Sequence, residues 1–292
     1  MSEEVFRQDL DENKAERAGG PFVIELLFRE PADMPSKERM SAVIEKHVGK
    51  TKCFCHDGKT AGFAALDYRA EFQDQSVPVQ LMLTECTAFD GEEIDDFLRS
   101  QMWDCLEERD DILGNCRYRV FATDMLARAL PAVQRATLDM DFLEALSELY
   151  PDCEAFYFPS SGKLFPAESV RQHETEGTNR FIYFGVNVRF FNVQDSEDMV
   201  VDTLGMSTLF LPDLQYHFHG MNPNWVVNHA YNVAAYLLGS GNVIADGETV
   251  DGVVDGEMSS ELHWSCRYED ALIQPPREVL DINMGEYASG TR

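Results

Sequence analysis

Hydrophobic and polar positions alternate most regularly from Asp213 to His219. Leu214, Tyr216 and Phe218 fall on one face and Asp213, Gln215, His217 and His219 on the other, which is the period of a strand with one buried side. Pro212 removes a ladder donor, so the strand starts there or lies at a sheet edge. Beyond Gly220-Met221, Asn222 offers an N-cap and Pro223 suits the first helical position, where a missing N–H costs nothing. Val226, His229, Ala230, Val233 and Leu237 then recur at helical spacing, and Gly239 is placed to end the helix. His229 therefore sits within an apolar stripe.

The same patterns extend through the chain. Residues 1–20 read as a tail ending at Gly19-Gly20-Pro21. Phe22–Phe28 is a near-continuous apolar run, a buried strand. Asp33-Met34-Pro35-Ser36 opens a helix whose inner stripe is Met40, Val43, Ile44 and His47, closed by Gly49. Strands are expected at Lys52–Cys55, Ala61–Tyr68 and Val77–Cys86, a helical stretch over Glu92–Leu113, and a strand at Tyr118–Ala122. Met125–Tyr150 is helical with a break at Pro131, and 131–137 is the expected boundary between units at 21–130 and 131–292.

Beyond that boundary come a strand at Glu154–Phe158, a helical piece near Ala167–His173 and the long run Arg180–Val193. The end of that run puts Val186, Val188 and Phe190 opposite Asn187, Arg189 and Phe191. Strands at Met199–Leu204 and Thr208–Phe218, the helix from Asn222 to Leu238, and strands near Glu261–Tyr268 and Val279–Met284 complete the second unit. The fold class is α+β, two similar α/β units with mixed, mainly antiparallel sheets.

Composition narrows the function classes. The 292 residues carry a formal net charge of −28, which repels nucleic-acid phosphates and anionic membranes. With no long apolar span and a polar start, the chain reads as cytoplasmic. Its seven scattered cysteines read as reduced thiols. The negative charge is uneven. From Glu85 to Asp111, eleven acids face only Arg99 and Arg109, and from Asp246 to Glu261 six acids face no base. Solubility explains such runs. A docking surface for a basic protein partner, with Glu92, Glu93, Asp95 and Asp96 at its centre, is the sharper reading.

Candidate chemistry centres on Asp213, Gln215, His217, His219 and His229. These are either satisfied sheet and core side chains, a metal site, or a metal-free polar pocket using histidine as acid, base or anchor. The spacing H-x-H-x9-H matches no specific zinc signature, and the helix lacks H-E-x-x-H. Covering the face of Leu214, Tyr216 and Phe218 gains about 1.5–3 kcal/mol per large side chain. The helix is therefore expected on that face, which puts His229 across the sheet from His217 and His219. No metal or other cofactor is expected. Cys53-x-Cys55-His56 lacks a second ligand pair, and Asp-Gly at 246, 251 and 255 reads as turns rather than a calcium loop. No phosphate-binding glycine loop and no G-x-S-x-G elbow occurs.

Asp202-Thr203-Leu204-Gly205, Leu211-Pro212-Asp213-Leu214, the run Tyr216–His219 and the turns at Asp246-Gly247 and Asp251-Gly252 resemble a bacterial family, domain of unknown function 4261. The likeness is strongest over the last third of the chain. The segments Phe22–Met40 and Ser100–Cys105 also resemble its longer, clostridial-type members. The resemblance implies a soluble bacterial protein and assigns no activity, cofactor or catalytic residue. The leading expectation is a non-catalytic protein-binding module, regulatory or immunity-type, with an acidic surface. The alternative is a small-molecule or metal-dependent enzyme centred on His217, His219 and His229.

Overall fold

A computed structural model describes residues 20–71 and 75–290; the expected tail lies, save Gly20, outside them. By internal contacts the chain divides into a unit Gly20–Gly185 and a unit containing Val186–Arg292. The class is α+β, and the sheets are mainly antiparallel.

The first unit is built on the apolar run β1 (Val23–Phe28), central in a wholly antiparallel sheet. Its other strands are β2 (Thr51–His56), β3 (Thr60–Glu71), β4 (Ser76–Thr84), β5 (Thr87–Ala88), β6 (Tyr118–Met125), β7 (Ala155–Phe158) and β8 (Lys163–Pro166). The order is β2-β3-β4-β6-β1-β7-β8, with β5 also on β6. Helix α1 (Lys37–Val48) is capped by Ser36, which accepts from Arg39 N, and buries Met40, Val43, Ile44 and Val48. It packs on α4 (Ala132–Leu149). Instead of entering the core, His47 is only half-buried and donates from Nε2 to Glu148 at 2.8 Å. Against Leu27, Tyr157 and Leu164 of the sheet lies a smaller core of Ile94, Met102, Cys105, Ile112 and Leu113.

The continuous helix expected over Glu92–Leu113 is instead two short helices, α2 (Asp96–Ser100) and α3 (Arg109–Asn115), joined by tighter turns. Asp90 and Asp95 set where the first turns start, because each carboxylate captures a local N–H, of Glu92 and Leu98. The expected boundary at 131–137 also falls inside this unit. Pro131 is the N-cap of α4 rather than a linker, and the chain then returns to the sheet as β7, where Phe156 pairs with Leu26 of β1. Two short helices, α5 (Ala167–Arg171) and α6 (Asn179–Gly185), close the unit. The first half of the run Arg180–Val193 is thus helical.

The second unit holds one sheet in the order β12-β13-β14-β11-β10-β9. Its strands are β9 (Asn187–Asn192), β10 (Met199–Leu204), β11 (Asp213–Phe218), β12 (Thr249–Val254), β13 (Glu257–Asp270) and β14 (Glu278–Asn283). All neighbours are antiparallel except β11 and β14, which run parallel with Asp213 beside Val279. The 18-residue helix α7 (Pro223–Ser240) follows β11, capped by Asn222, which accepts from Asn224 N. Gly239 stays within the helix, and Gly241, at φ +81°, is the residue that ends it.

Unlike the first unit, which opens β-α-β, this one opens with three consecutive strands, so the two do not share one element order. Strand β12 runs through one of the Asp-Gly pairs and ends at another. Asp255 and Gly256, both at positive φ, make the hairpin turn into β13. Asp251-Gly252, expected as a turn, is an irregularity within the strand where the register to β13 shifts.

Candidate functional site

Strand β11 splits the candidate residues between two environments. On its apolar face α7 packs as the alternation requires: the Tyr216 hydroxyl lies 2.8 Å from His229 Nδ1. His229 is 1% exposed, and its Nε2 lies 2.7 Å from the carbonyl oxygen of Asp251. A carbonyl only accepts, so Nε2 carries the proton, and Nδ1 must accept from Tyr216. The ring also packs against Trp264, with centroids 4.8 Å apart. Burial lowers the His229 pKa, with the Asp251 carbonyl opposing, and burial raises that of Tyr216. His229 is therefore a neutral imidazole with both nitrogens engaged. It ties α7 to β12 at the floor of a cleft of about 1050 Å³.

The opposite face, expected to be solvated, is instead closed at Asp213 and Gln215, which are buried. The connection from Ala271 to Arg277 covers them, held by polar bonds. Arg189 grips Asp202 through Nε at 2.8 Å and Nη2 at 2.5 Å and reaches the Gln274 carbonyl at 2.8 Å. Gln215 accepts from Leu272 N at 2.7 Å and donates to Asp281 at 3.2 Å.

Arg277 spends all five of its N–H donors here. Nε goes to Asp213, Nη1 to the carbonyls of Ile273 and Pro275, and Nη2 to Asp202 and the Thr203 carbonyl. Burial raises the Asp213 pKa, while Arg277 and the Met206 N–H oppose it. Sequence reading missed Arg189, Asp202, Asp281 and Arg277 as members of this set. Only the alternation that puts Arg189 on the polar face of its strand hinted at one of them.

His217 and His219 lie beyond this network, at the open end of the strand. Ser289 Oγ donates to Asp198 Oδ1 at 2.8 Å, which uses its one proton, so His219 Nδ1 at 3.0 Å is the donor to Ser289. His217 Nε2 stands 3.6 Å from the other Asp198 oxygen. The Ser289 hydrogen bond holds the Asp198 pKa below the usual carboxylate range. The order is histidine to serine to carboxylate. A nucleophilic serine needs the histidine in the middle, so this chain of bonds does not activate Ser289. It latches the segment Gly285–Gly290 to β11, together with Ser289 N to the His217 carbonyl and His219 N to the Tyr287 carbonyl. Among the described residues, no group of three or more His, Cys, Asp or Glu side chains is placed to hold a metal ion.

The acid-rich segment of the first unit has a different character. Of its four central carboxylates, Asp95 caps α2 and Glu93 pairs with Arg119 at 2.7 Å, while Glu92 and Asp96 are exposed. Three large apolar side chains stand out among them: Phe97, Trp103 and Leu106, 41%, 45% and 53% exposed. In the same unit Cys53 and Cys55 donate to carbonyls of Cys55 and Thr60, and His56 donates to that of Pro35. These three side chains serve local structure.

Residues 202–283, from β10 to the end of β14, match the family model described as Domain of unknown function (DUF4261). The match takes in α7, the cleft and the buried polar network except Arg189. No curated protein and no solved structure matches the chain.

Proposed function

We propose that this protein is a non-catalytic binding protein that engages a basic protein partner through the acid-rich surface of its first unit. The observation that carries the reading is the set Phe97, Trp103 and Leu106, exposed among Glu92, Asp96 and their neighbouring carboxylates. An apolar centre with a charged rim is how protein interfaces are built, with aromatic side chains providing most of the affinity. Carboxylates around it raise the association rate of a basic partner and discourage acidic ones. The candidate histidines support the non-catalytic side of the reading. His229 is spent on Tyr216 and Asp251, and His219 latches Ser289, on the other side of the sheet. The reading places the protein in the cytoplasm in a regulatory role, in keeping with seven free cysteines. No helix among the described residues is long and apolar enough to cross a membrane.

The test is capture of a basic partner by the whole chain, repeated with Glu92→Lys, Asp96→Lys and Trp103→Ala together. Capture should weaken as salt shortens the Debye length from about 10 Å to about 3 Å, and the triple variant should lose it while its circular dichroism is unchanged. Equal capture by variant and wild type would leave this charge a solubility device and nothing more.

A further inference from the structure

We infer that the cleft between α7 and β12 is a binding site for an extended, basic polypeptide segment. This site lies in the second unit and is independent of the surface proposed above.

Its shape suits an extended chain. One wall is a single stripe of α7, in which Trp225, Asn228, Asn232 and Tyr236 line the opening. The eleven steps from Trp225 to Tyr236, at about 1.5 Å each, make a wall of about 16 Å. An extended chain advances about 3.3 Å per residue, so the wall matches roughly five residues. The other wall is β12, the outermost strand of the sheet, which among the described residues pairs on one side only, with β13. Such a strand offers main-chain donors and acceptors to a chain lying alongside it. One end is closed where the hairpin turn at Gly256 seats against Trp225; a Cβ there would come 2.9 Å from the indole nitrogen. The floor is His229, held neutral and bonded across to the Asp251 carbonyl.

The chemistry of the lining selects the charge. Glu248, Asp251 and Glu257 line the cleft, and among the described residues no Lys or Arg does. A cationic segment finds the Glu248 and Glu257 carboxylates there, while Asp251 turns its own to His263 at 3.6 Å, and an anionic segment finds only repulsion. The Trp225 and Tyr236 rings add faces on which Lys or Arg side chains can settle. Exposed Asn228 and Asn232 present amides, each with a donor and an acceptor, as a peptide backbone requires. Tyr236, Val243 and Met258, 54%, 49% and 43% exposed, put apolar surface at the rim and favour side chains that alternate between basic and apolar.

The experiment is selection from a random heptapeptide display library on the immobilised whole chain, with the enriched peptides then measured by fluorescence anisotropy. Enriched sequences should be net positive, with Lys or Arg alternating with apolar residues. Their binding should fall at least tenfold in Asn232→Arg, which sets a cation in mid-cleft on an exposed helix position, and in Glu257→Lys. Trp103→Ala, in the other unit, should leave it unchanged, which separates this site from the surface of the first unit. Failure to enrich basic peptides, or enriched peptides indifferent to Asn232→Arg, would overturn the assignment. So would full displacement by micromolar spermine, since that would make the cleft a site for small polycations.

Discussion

Two buried titratable side chains show what single residues contribute, and both have testable signs. In His229 burial depresses the pKa below 6.5, so the folded state binds its proton less readily than the unfolded chain. Its contribution to stability is complete above pH 6.5 and is lost as pH falls below that value. Urea midpoints of the wild type should therefore drop between pH 7.5 and 5 more steeply than those of His229→Gln; parallel curves would show that the imidazole is not held neutral. Asp139 on α4 is the opposite case. It is fully buried, and desolvation, with the Asp124 carboxylate adding, raises its pKa well above 3.8. Arg135 offers little relief, since it forks onto Asp124 at 2.7 and 2.9 Å and reaches Asp139 only at 3.9 Å. A raised carboxyl pKa means the folded state holds more protons, so stability falls as pH rises above 3.8. Asp139→Asn should raise the urea midpoint at pH 7 and flatten its pH dependence above pH 4. A midpoint at or below the wild type would show an ionised Asp139.

At the scale of elements, the connection between β13 and β14 depends on one side chain. Removing Arg277 would strip Asp213 of its cation and leave the carbonyls of Ile273, Pro275 and Thr203 without their donor. Breaking a buried ion pair from one side costs about 3–5 kcal/mol, most of it from the orphaned partner. Arg277→Met should lower stability by that amount in denaturant titration, and adding Asp213→Asn should restore part of it. No recovery in the double variant would assign the loss to the carbonyls and Asp202 rather than to Asp213. The elements themselves were legible where local signals agreed. Alternation marked β11, Asn222-Pro223 opened α7, Ser36 opened α1, and the face chosen by α7 followed from apolar burial. The polar network was not legible, because Arg277 meets Asp202 across 75 residues and charged pairs leave no periodic trace. Strand β12 was hidden by Asp-Gly pairs that ordinarily mark turns, one of which here lies within the strand.

At the scale of the molecule, the fold class was readable and the division of the chain was not. Pro131 carried a break signal that belongs to the start of α4, and nothing local announces that β7 will return to β1. The division by internal contacts, at Gly185, interrupts a largely apolar stretch from Phe181 to Val188 that alternation alone cannot cut. The parallel pairing of β11 with β14 has a consequence for synthesis. β14 is the last strand in chain order, yet it lies between β13 and β11, inside the sheet. While a ribosome is still making the chain, β9, β10 and β11 emerge as neighbours that can zip together at once, and β12 can turn onto β13. The two groups cannot be joined until Glu278–Asn283 has cleared the exit tunnel. Until then α7 has only half a sheet to rest on, and the Trp264 ring that will pack on His229 is not yet brought to it.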